Sequence, residues 1–241
     1  MYTPYVVAET PSYAALYKPP RLHSVPLKRN IASISLLDWY AEIFPGIREV
    51  KGKNPWEGGI VHRLDYETRG LVLAAKTQAF LDCILVQQEK GLFTKTYCSI
   101  TKRVNGGAFI DKIPASVESA FRPFGAGGRM VKPILKPFPK NKDVCLDRGR
   151  YYCTEIIESM ECRDGTVCFR LRIKRGFRHQ IRSHLAWIGF PIVHDALYGA
   201  PYYSSDQSGD LALVAETLSF FDVHGTQIHI REEKQRAKEE E

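Results

Sequence analysis

The chain has 241 residues, a hydrophobic fraction of 44% and a formal net charge of +7. That length fits one large domain or two small ones, with enough apolar residues for a buried core. No apolar run approaches the ~20 residues that span a bilayer, and Met1 to Lys18 lacks the pattern of a leader, so the chain reads as a cytoplasmic, monomeric protein with no membrane segment. The basic balance favours a polyanionic partner. The six cysteines (Cys83, Cys98, Cys145, Cys153, Cys162, Cys168) contain no C-x-x-C pair and read as reduced thiols rather than a disulfide scaffold or a zinc site.

Residues 5–18 are rich in Val, Ala and Tyr and predict one or two opening strands, stopped at Lys18-Pro19-Pro20 because proline cannot donate to a ladder. Ser35 is placed to cap a short helix carrying Leu36, Leu37, Tyr40, Ile43 and Phe44, which ends at Pro45-Gly46. A polar loop with four glycines follows over 46–59. Ile60-Val61 and Leu71 to Ala75 predict strands that flank a turn holding Asp65. A helix is predicted from Gln78 to Lys90, with Phe80, Leu81, Ile84 and Leu85 on its apolar face and Gly91 at its end. Thr94 to Val104 predicts a strand.

Glycines and prolines interrupt 105–150, which reads as a loop and hairpin region. Arg129, Lys132, Lys136, Lys140 and Lys142 make part of it basic, and its functional reading is an arm that touches phosphate. Tyr151 to Ile157 and Val167 to Ile173 predict strands. The second alternates cleanly, with Val167, Phe169, Leu171 and Ile173 on one face and Arg170, Arg172 and Lys174 on the other. A helix from Arg178 to Ile188 carries Ile181, Leu185 and Ile188, Leu211 to Phe221 predicts a strand, and the tail from Arg231 to Glu241 reads as frayed helix or disorder. Strands outnumber helices without a βαβα rhythm, so the predicted class is α+β with a mixed sheet.

Two stretches carry the chemistry. His62-Arg63-Leu64-Asp65 sets one carboxylate in a turn, and an arginine-rich segment runs from Arg175 to Arg182. There is no acid between Gly165 and His194. On a helix, Arg178 and Arg182 would share a face near the N-terminus, where free N–H groups also favour an anion. Such a pair calls for a negative partner, either phosphate or a buried carboxylate such as Asp65. His179 and His184 are five apart on a helix, too far round the axis to chelate together. No nucleophile elbow, P-loop or dinucleotide fingerprint is present.

These stretches, taken in order, resemble the RluA-type pseudouridine synthases. His62-Arg63-Leu64-Asp65 with Thr68, Gly70 and Leu71 to Lys76 is similar to the family's first motif, and Lys95-Thr96-Tyr97 to its second. His179-Gln180-Ile181-Arg182, His184-Leu185, Gly189, Pro191 to Val193, Asp195 and Leu197-Tyr198-Gly199 resemble the third. Tyr17 to Pro20 resembles the early K-P motif, and Leu211 to Phe220 the last core strand. Arg69 stands where serine is common, Phe177-Arg178 replace part of the frequent G-R-T-H, and His194 replaces a usual glycine.

The resemblance implies a pseudouridine synthase fold: a central mixed, mostly antiparallel sheet with flanking helices and a catalytic cleft across it. It implies one catalytic domain over 1–230, no N-terminal RNA-binding module, and a charged tail over 231–241. The implied activity is isomerisation of uridine in ribosomal or transfer RNA, with no metal or organic cofactor. Asp65 would be the catalytic carboxylate, Tyr97 would stack on the target base, and Arg182 would pair with Asp65. Arg63 would fill the space left by the flipped nucleotide, and Arg69, Lys95, Arg175, Arg178, His179 and Gln180 would contact RNA. The rival readings are a catalytically silent RNA-binding relative and a metal-dependent hydrolase built on the histidines.

Overall fold

The computed structural model describes residues 3–27, 34–52, 54–104, 112–135, 145–199 and 209–233. The chain divides into two compact units, one comprising the residues to Thr96 and from Val214 onward, the other Tyr97–Leu213.

In the first unit, β1 (Tyr5–Glu9) and β2 (Tyr13–Lys18) form an antiparallel hairpin. β2 then pairs antiparallel with β3 (Arg69–Ala75), in register from Tyr13 opposite Ala75 to Lys18 opposite Gly70. β3 runs parallel to β9 (Leu213–Phe221), with Arg69 opposite Val214 and Gly70 opposite Ala215. β10 (Gln227–Arg231) closes this side as an antiparallel partner of β9. Gly70 is required at the parallel crossing. Its φ is +120°, and a Cβ there would lie 2.3 Å from the Ala215 carbonyl oxygen.

The helices of this unit follow their local signals. α1 (Leu36–Ile43) starts in a capping box: Ser35 Oγ accepts from Asp38 N, and Asp38 Oδ2 accepts from Ser35 N. α2 (Gln78–Lys90) is capped by Thr77 and stopped by Gly91 at φ +70°. It buries Phe80, Leu81 and Ile84 on the sheet, where the rings of Tyr13, Phe80, Phe93 and Phe220 meet at 4.9–6.2 Å. Each such ring removed from water stabilises the fold by roughly 1.5–3 kcal/mol.

In the second unit the strand order is β4 (Thr94–Lys102), β8 (Thr166–Ile173), β7 (Tyr152–Glu161), β5 (Ser116–Phe124) and β6 (Met130–Ile134). β5–β6, β5–β7 and β7–β8 are antiparallel. α3 (Gln180–Trp187) buries Ile181 and Leu185. Phe121, Val131 and Tyr152 form a small core, onto which Phe177 stacks at 4.9 Å from Phe121 with the rings 4° from parallel.

Several local expectations differ from what is observed. Ile60-Val61 is not a strand but a single bridge, Ile60 opposite Ala74, extended by Val61 N donating to Leu73 O. The 105–150 region contains the nine-residue strand β5 and its partner β6, while Lys136, Lys140 and Lys142 lie outside the described residues. Arg231, expected to open a loose tail, ends β10 and donates to Glu216 at 2.6 Å. Residues 234–241 lie outside the described residues.

α3 begins later than periodicity predicts. His179 is its N-cap, in the left-handed region at φ +54°, so Arg178 precedes the helix and does not share a helical face with Arg182. The turn is closed by Gln180, whose Oε1 accepts from Phe177 N and whose Nε2 donates to Cys153 O and Thr154 Oγ1.

Candidate active site

Asp65 sits in a turn of the first unit, closed by Thr68 N donating to the Asp65 carbonyl at 3.1 Å. Both chain neighbours of Asp65 are tied down. Leu64 is buried, its N–H donates to Ser24 Oγ at 3.0 Å, and that hydroxyl donates back to Leu64 O at 3.2 Å. On the other side, Tyr66 O accepts from Lys18 Nζ at 3.2 Å. Lys18 has no exposed surface and spends its other donors on Pro19 O at 2.9 Å and Leu22 O at 2.8 Å. Burial pushes its pKa down to about 7, opposed by the negative charges of Asp65 and Glu67. A carboxylate flanked by two pinned residues is held on a short tether, which is the preorganisation a reacting group needs.

His62 packs inward. Leu73 N donates to its Nε2 at 3.2 Å, so the neutral ring carries its proton on Nδ1, and that atom is buried without a hydrogen-bond partner. Burial, and then the nearby Lys95 charge, hold its pKa well below the usual range. Its ring packs 5.4 Å from Phe93, so His62 acts as a core group behind the turn.

The expected RNA-contacting side chains fall into two groups. Arg63 is exposed and ion-pairs with Glu57 at 3.3 Å. Arg69 opens β3, Arg175 is half-buried after β8, and Arg178 is exposed and donates to Gly128 O at 2.9 Å. His179 lies against Tyr198, with Nδ1 3.3 Å from its hydroxyl. Lys95 and Gln180 are buried. Lys95 is 4% exposed, with Nζ 4.4 Å from the Phe93 ring centre and a pKa that burial lowers to about 8. Gln180 is buried and bonded to backbone. The basic face of β8 is also partly neutralised, since Glu155 on β7 takes Arg172 at 2.7 Å and Lys174 at 3.7 Å.

In the second unit Tyr97 lies buried on β4. Arg182 on α3 is 1% exposed and gripped by Asp195: Nε donates to Oδ2 and Nη2 to Oδ1, both at 2.8 Å. The same carboxylate accepts from Leu197 N at 2.9 Å and Tyr198 N at 3.1 Å, and the guanidinium lies 5.6 Å from the Tyr198 ring centre. Tyr198 is itself fixed, its hydroxyl accepting from Val131 N and donating to Val131 O. Two residues further on, His184 has no exposed surface, with its two ring nitrogens each 2.8 Å from a hydroxyl, Ser119 Oγ and Thr154 Oγ1. Burial holds its pKa down at about 3. Among the described residues no three His, Cys, Asp or Glu side chains gather as metal ligands would.

Sequence reasoning named Lys18 and Asp195 within motifs without giving either a supporting role, and passed over Ser24. A signal existed for two of them. Lys18 ends an otherwise apolar strand, and Asp195 follows the apolar run Phe190 to Val193 as the first acid in the basic segment. Ser24 carries no such mark.

The comparisons with known proteins agree with one another. A model of the family described as RNA pseudouridylate synthase matches residues 12–187, most of the chain. A ribosomal large subunit pseudouridine synthase D of Yersinia pestis is 29% identical over 165 residues, covering 68% of this chain and 42% of that protein. Its namesake in Vibrio vulnificus is 32% identical over 142 residues, 58% of this chain and 38% of that protein. The chain therefore spans about four-tenths of the length of these curated relatives. The solved structure of human RNA Pseudouridylate Synthase Domain Containing 1 superposes with a TM-score of 0.65 at 18% identity, over 96% of this chain and 83% of that one, which shows the shared α+β fold. With the family match running through the Asp65 turn, the second motif and the Arg182 helix, the chain belongs to the RNA pseudouridylate synthase family.

Proposed function

We propose that this chain isomerises uridine to pseudouridine in structured RNA, with Asp65 as the catalytic carboxylate. The observation that carries the reading is the doubly pinned turn, in which Ser24 and Lys18 fix Leu64 and Tyr66 on either side of Asp65. In the reaction the bond between carbon 1′ and uracil nitrogen 1 breaks. The base turns while held, carbon 5 joins carbon 1′, the proton on carbon 5 is released, and nitrogen 1 takes up a proton in its place. Asp65 acts on the ribose, as nucleophile at carbon 1′ or as base at carbon 2′. In this reading Arg182, held by Asp195, pairs with Asp65, and Tyr97 stacks on the uracil. Flipping the target out of a helix costs a few kcal/mol, and one base–aromatic stack returns about 1–3 kcal/mol.

Arg63 takes the place vacated by the flipped nucleotide, and Arg69, Arg175, Arg178 and His179 meet the RNA around it. The names of the relatives make RNA of the large ribosomal subunit the first substrate to test. The protein works in this reading as a cytoplasmic monomer without a metal or organic cofactor.

The test is tritium release from RNA labelled at carbon 5 of uridine, prepared from cells lacking the gene. The wild-type chain releases tritium. Asp65→Asn keeps its melting temperature and RNA affinity and releases none. Appreciable turnover by Asp65→Asn would falsify the assignment. Binding without release by the wild-type chain would instead mark a catalytically silent relative.

A further inference from the structure

We propose that Tyr66, backed by the His23 ring, is a shelf on which an unpaired base next to the target uridine stacks. The inference rests on the reading of Asp65 as the catalytic carboxylate, because Tyr66 is the residue that follows it. Leu64, on the other side of Asp65, is buried, whereas Tyr66 leaves 43% of its surface exposed. Its ring does not hang loosely. It lies 4.6 Å from the His23 ring centre at 35°.

Both rings stand on fixed backbone. The Tyr66 carbonyl is held by Lys18 Nζ, and Lys18 is fully buried. His23 forms a bridge to Ser35, its carbonyl accepts from Leu36 N at 2.8 Å, and the next carbonyl, of Ser24, accepts from Leu37 N at 3.2 Å. The pair is thus anchored to the first turn of α1 and to the Asp65 turn together. A ring already fixed loses little rotamer freedom on binding, so most of the contact energy appears as affinity.

The surroundings choose a nucleic acid base over a peptide or lipid. Arg63, two residues before Asp65, has 61% of its side chain exposed, and Arg21 is exposed on the loop before His23. Cations that stand close in the chain to an exposed aromatic match a strand whose phosphates lie next to its bases. A base has a π-face whatever its identity, so the shelf adds affinity and register without reading sequence. Sequence inspection overlooked Tyr66 because an aromatic in a turn is unremarkable until its neighbours are seen to be pinned.

The test measures kcat and KM for tritium release on the uridine-labelled RNA described above, with the full chain. Tyr66→Ala raises KM roughly 5- to 100-fold, the loss falling on KM rather than kcat, as expected for the removal of one base stack. Tyr66→Phe and Tyr66→Trp keep the wild-type KM because they keep the ring. Tyr66→Leu, which retains apolar area and guards against a folding artefact, behaves like Tyr66→Ala. The shelf is overturned if Tyr66→Phe is as weak as Tyr66→Ala, if Tyr66→Leu matches the wild type, or if Tyr66→Ala leaves KM unmoved. Its failure is distinct from failure of the functional reading. In the first case the wild type is active, Asp65→Asn is dead and Tyr66 is indifferent; in the second, Asp65→Asn turns over or the wild type releases nothing.

Discussion

Asp195→Asn removes one charge from a pair that has almost no contact with water, the two side chains being 1% and 0% exposed. The amide oxygen can keep the bonds that Oδ1 accepts from Arg182 Nη2, Leu197 N and Tyr198 N. The amide nitrogen then stands where Oδ2 was, 2.8 Å from Arg182 Nε, so donor faces donor beside an uncompensated guanidinium. Breaking a buried pair from one side costs about 3–5 kcal/mol. For a chain of this size each kcal/mol lowers the melting temperature by roughly 2–4 °C, so the expected fall is on the order of 6–20 °C. Circular dichroism melts measure it. Glu161→Gln is the control, since its 3.6 Å pair with Arg103 is exposed and worth at most about 1 kcal/mol. Replacing both partners, Arg182→Met with Asp195→Leu, strands no charge but leaves Leu197 N and Tyr198 N without their acceptor, so it recovers part of the loss and not all of it. If Arg182 has the role proposed above, tritium release is lost in that double variant, which separates that role from its part in the fold. An Asp195→Asn protein that melts alongside the Glu161→Gln control refutes the reasoning.

His184 predicts a pH dependence. It stays neutral in the fold down to about 3, while the unfolded chain takes the proton near the ordinary value of about 6.5. The unfolded state therefore binds more protons between those two values. The His184 contribution to stability is flat above pH 6.5 and falls below it, by up to ~1.4 kcal/mol for each pH unit. Urea titrations from pH 7 to 4 should show this fall shallower in His184→Gln, and equal slopes would contradict it. Lys95→Met should leave the salt dependence of RNA binding unchanged, because Lys95 Nζ lies over Phe93 inside the first unit. A slope of log Kd against log salt reduced by about 0.7–0.9 would mean that Lys95 does reach a phosphate.

Much of the fold was legible where local chemistry decides it. Ser35 with Asp38 three residues on, and Gly91 after the apolar face of α2, mark helix ends by hydrogen bonds that neighbouring residues supply. β8 was legible because strict alternation buries one face. β5 was not, since Ser116–Phe124 carries adjacent buried Ala120 and Phe121 and a proline at 123. β10 went unread because only its pairing with β9 makes a strand of two isoleucines among polar residues. The start of α3 depended on His179 adopting a left-handed backbone and on Gln180 reaching back to Phe177, neither of which has a periodicity. In the candidate site, residue types in order marked Asp65, Tyr97 and Arg182. Burial was illegible: nothing in the order of residue types shows that Lys95 and Gln180 are enclosed by the fold.

The largest side chains that the structure buries completely are aromatic or aliphatic, with two exceptions, Arg182 and Lys18. The two cations are held in different ways, and the difference matters. Arginine stays charged at any ordinary pH and presents a rigid fork, so a bidentate carboxylate such as Asp195 fixes both its charge and its direction. Lys18 has no carboxylate bonded to it; it donates to three carbonyls, and only the protonated ammonium has three protons to give. Loss of one proton leaves one carbonyl without a donor, and the longest of the three bonds, 3.2 Å, is the one to Tyr66 O beside Asp65. The negative charges of Asp65 and Glu67 oppose the effect of burial and favour the protonated form. The carboxylate in the turn thus helps to keep charged the lysine that anchors its own neighbour, and removing either charge weakens the hold on the other.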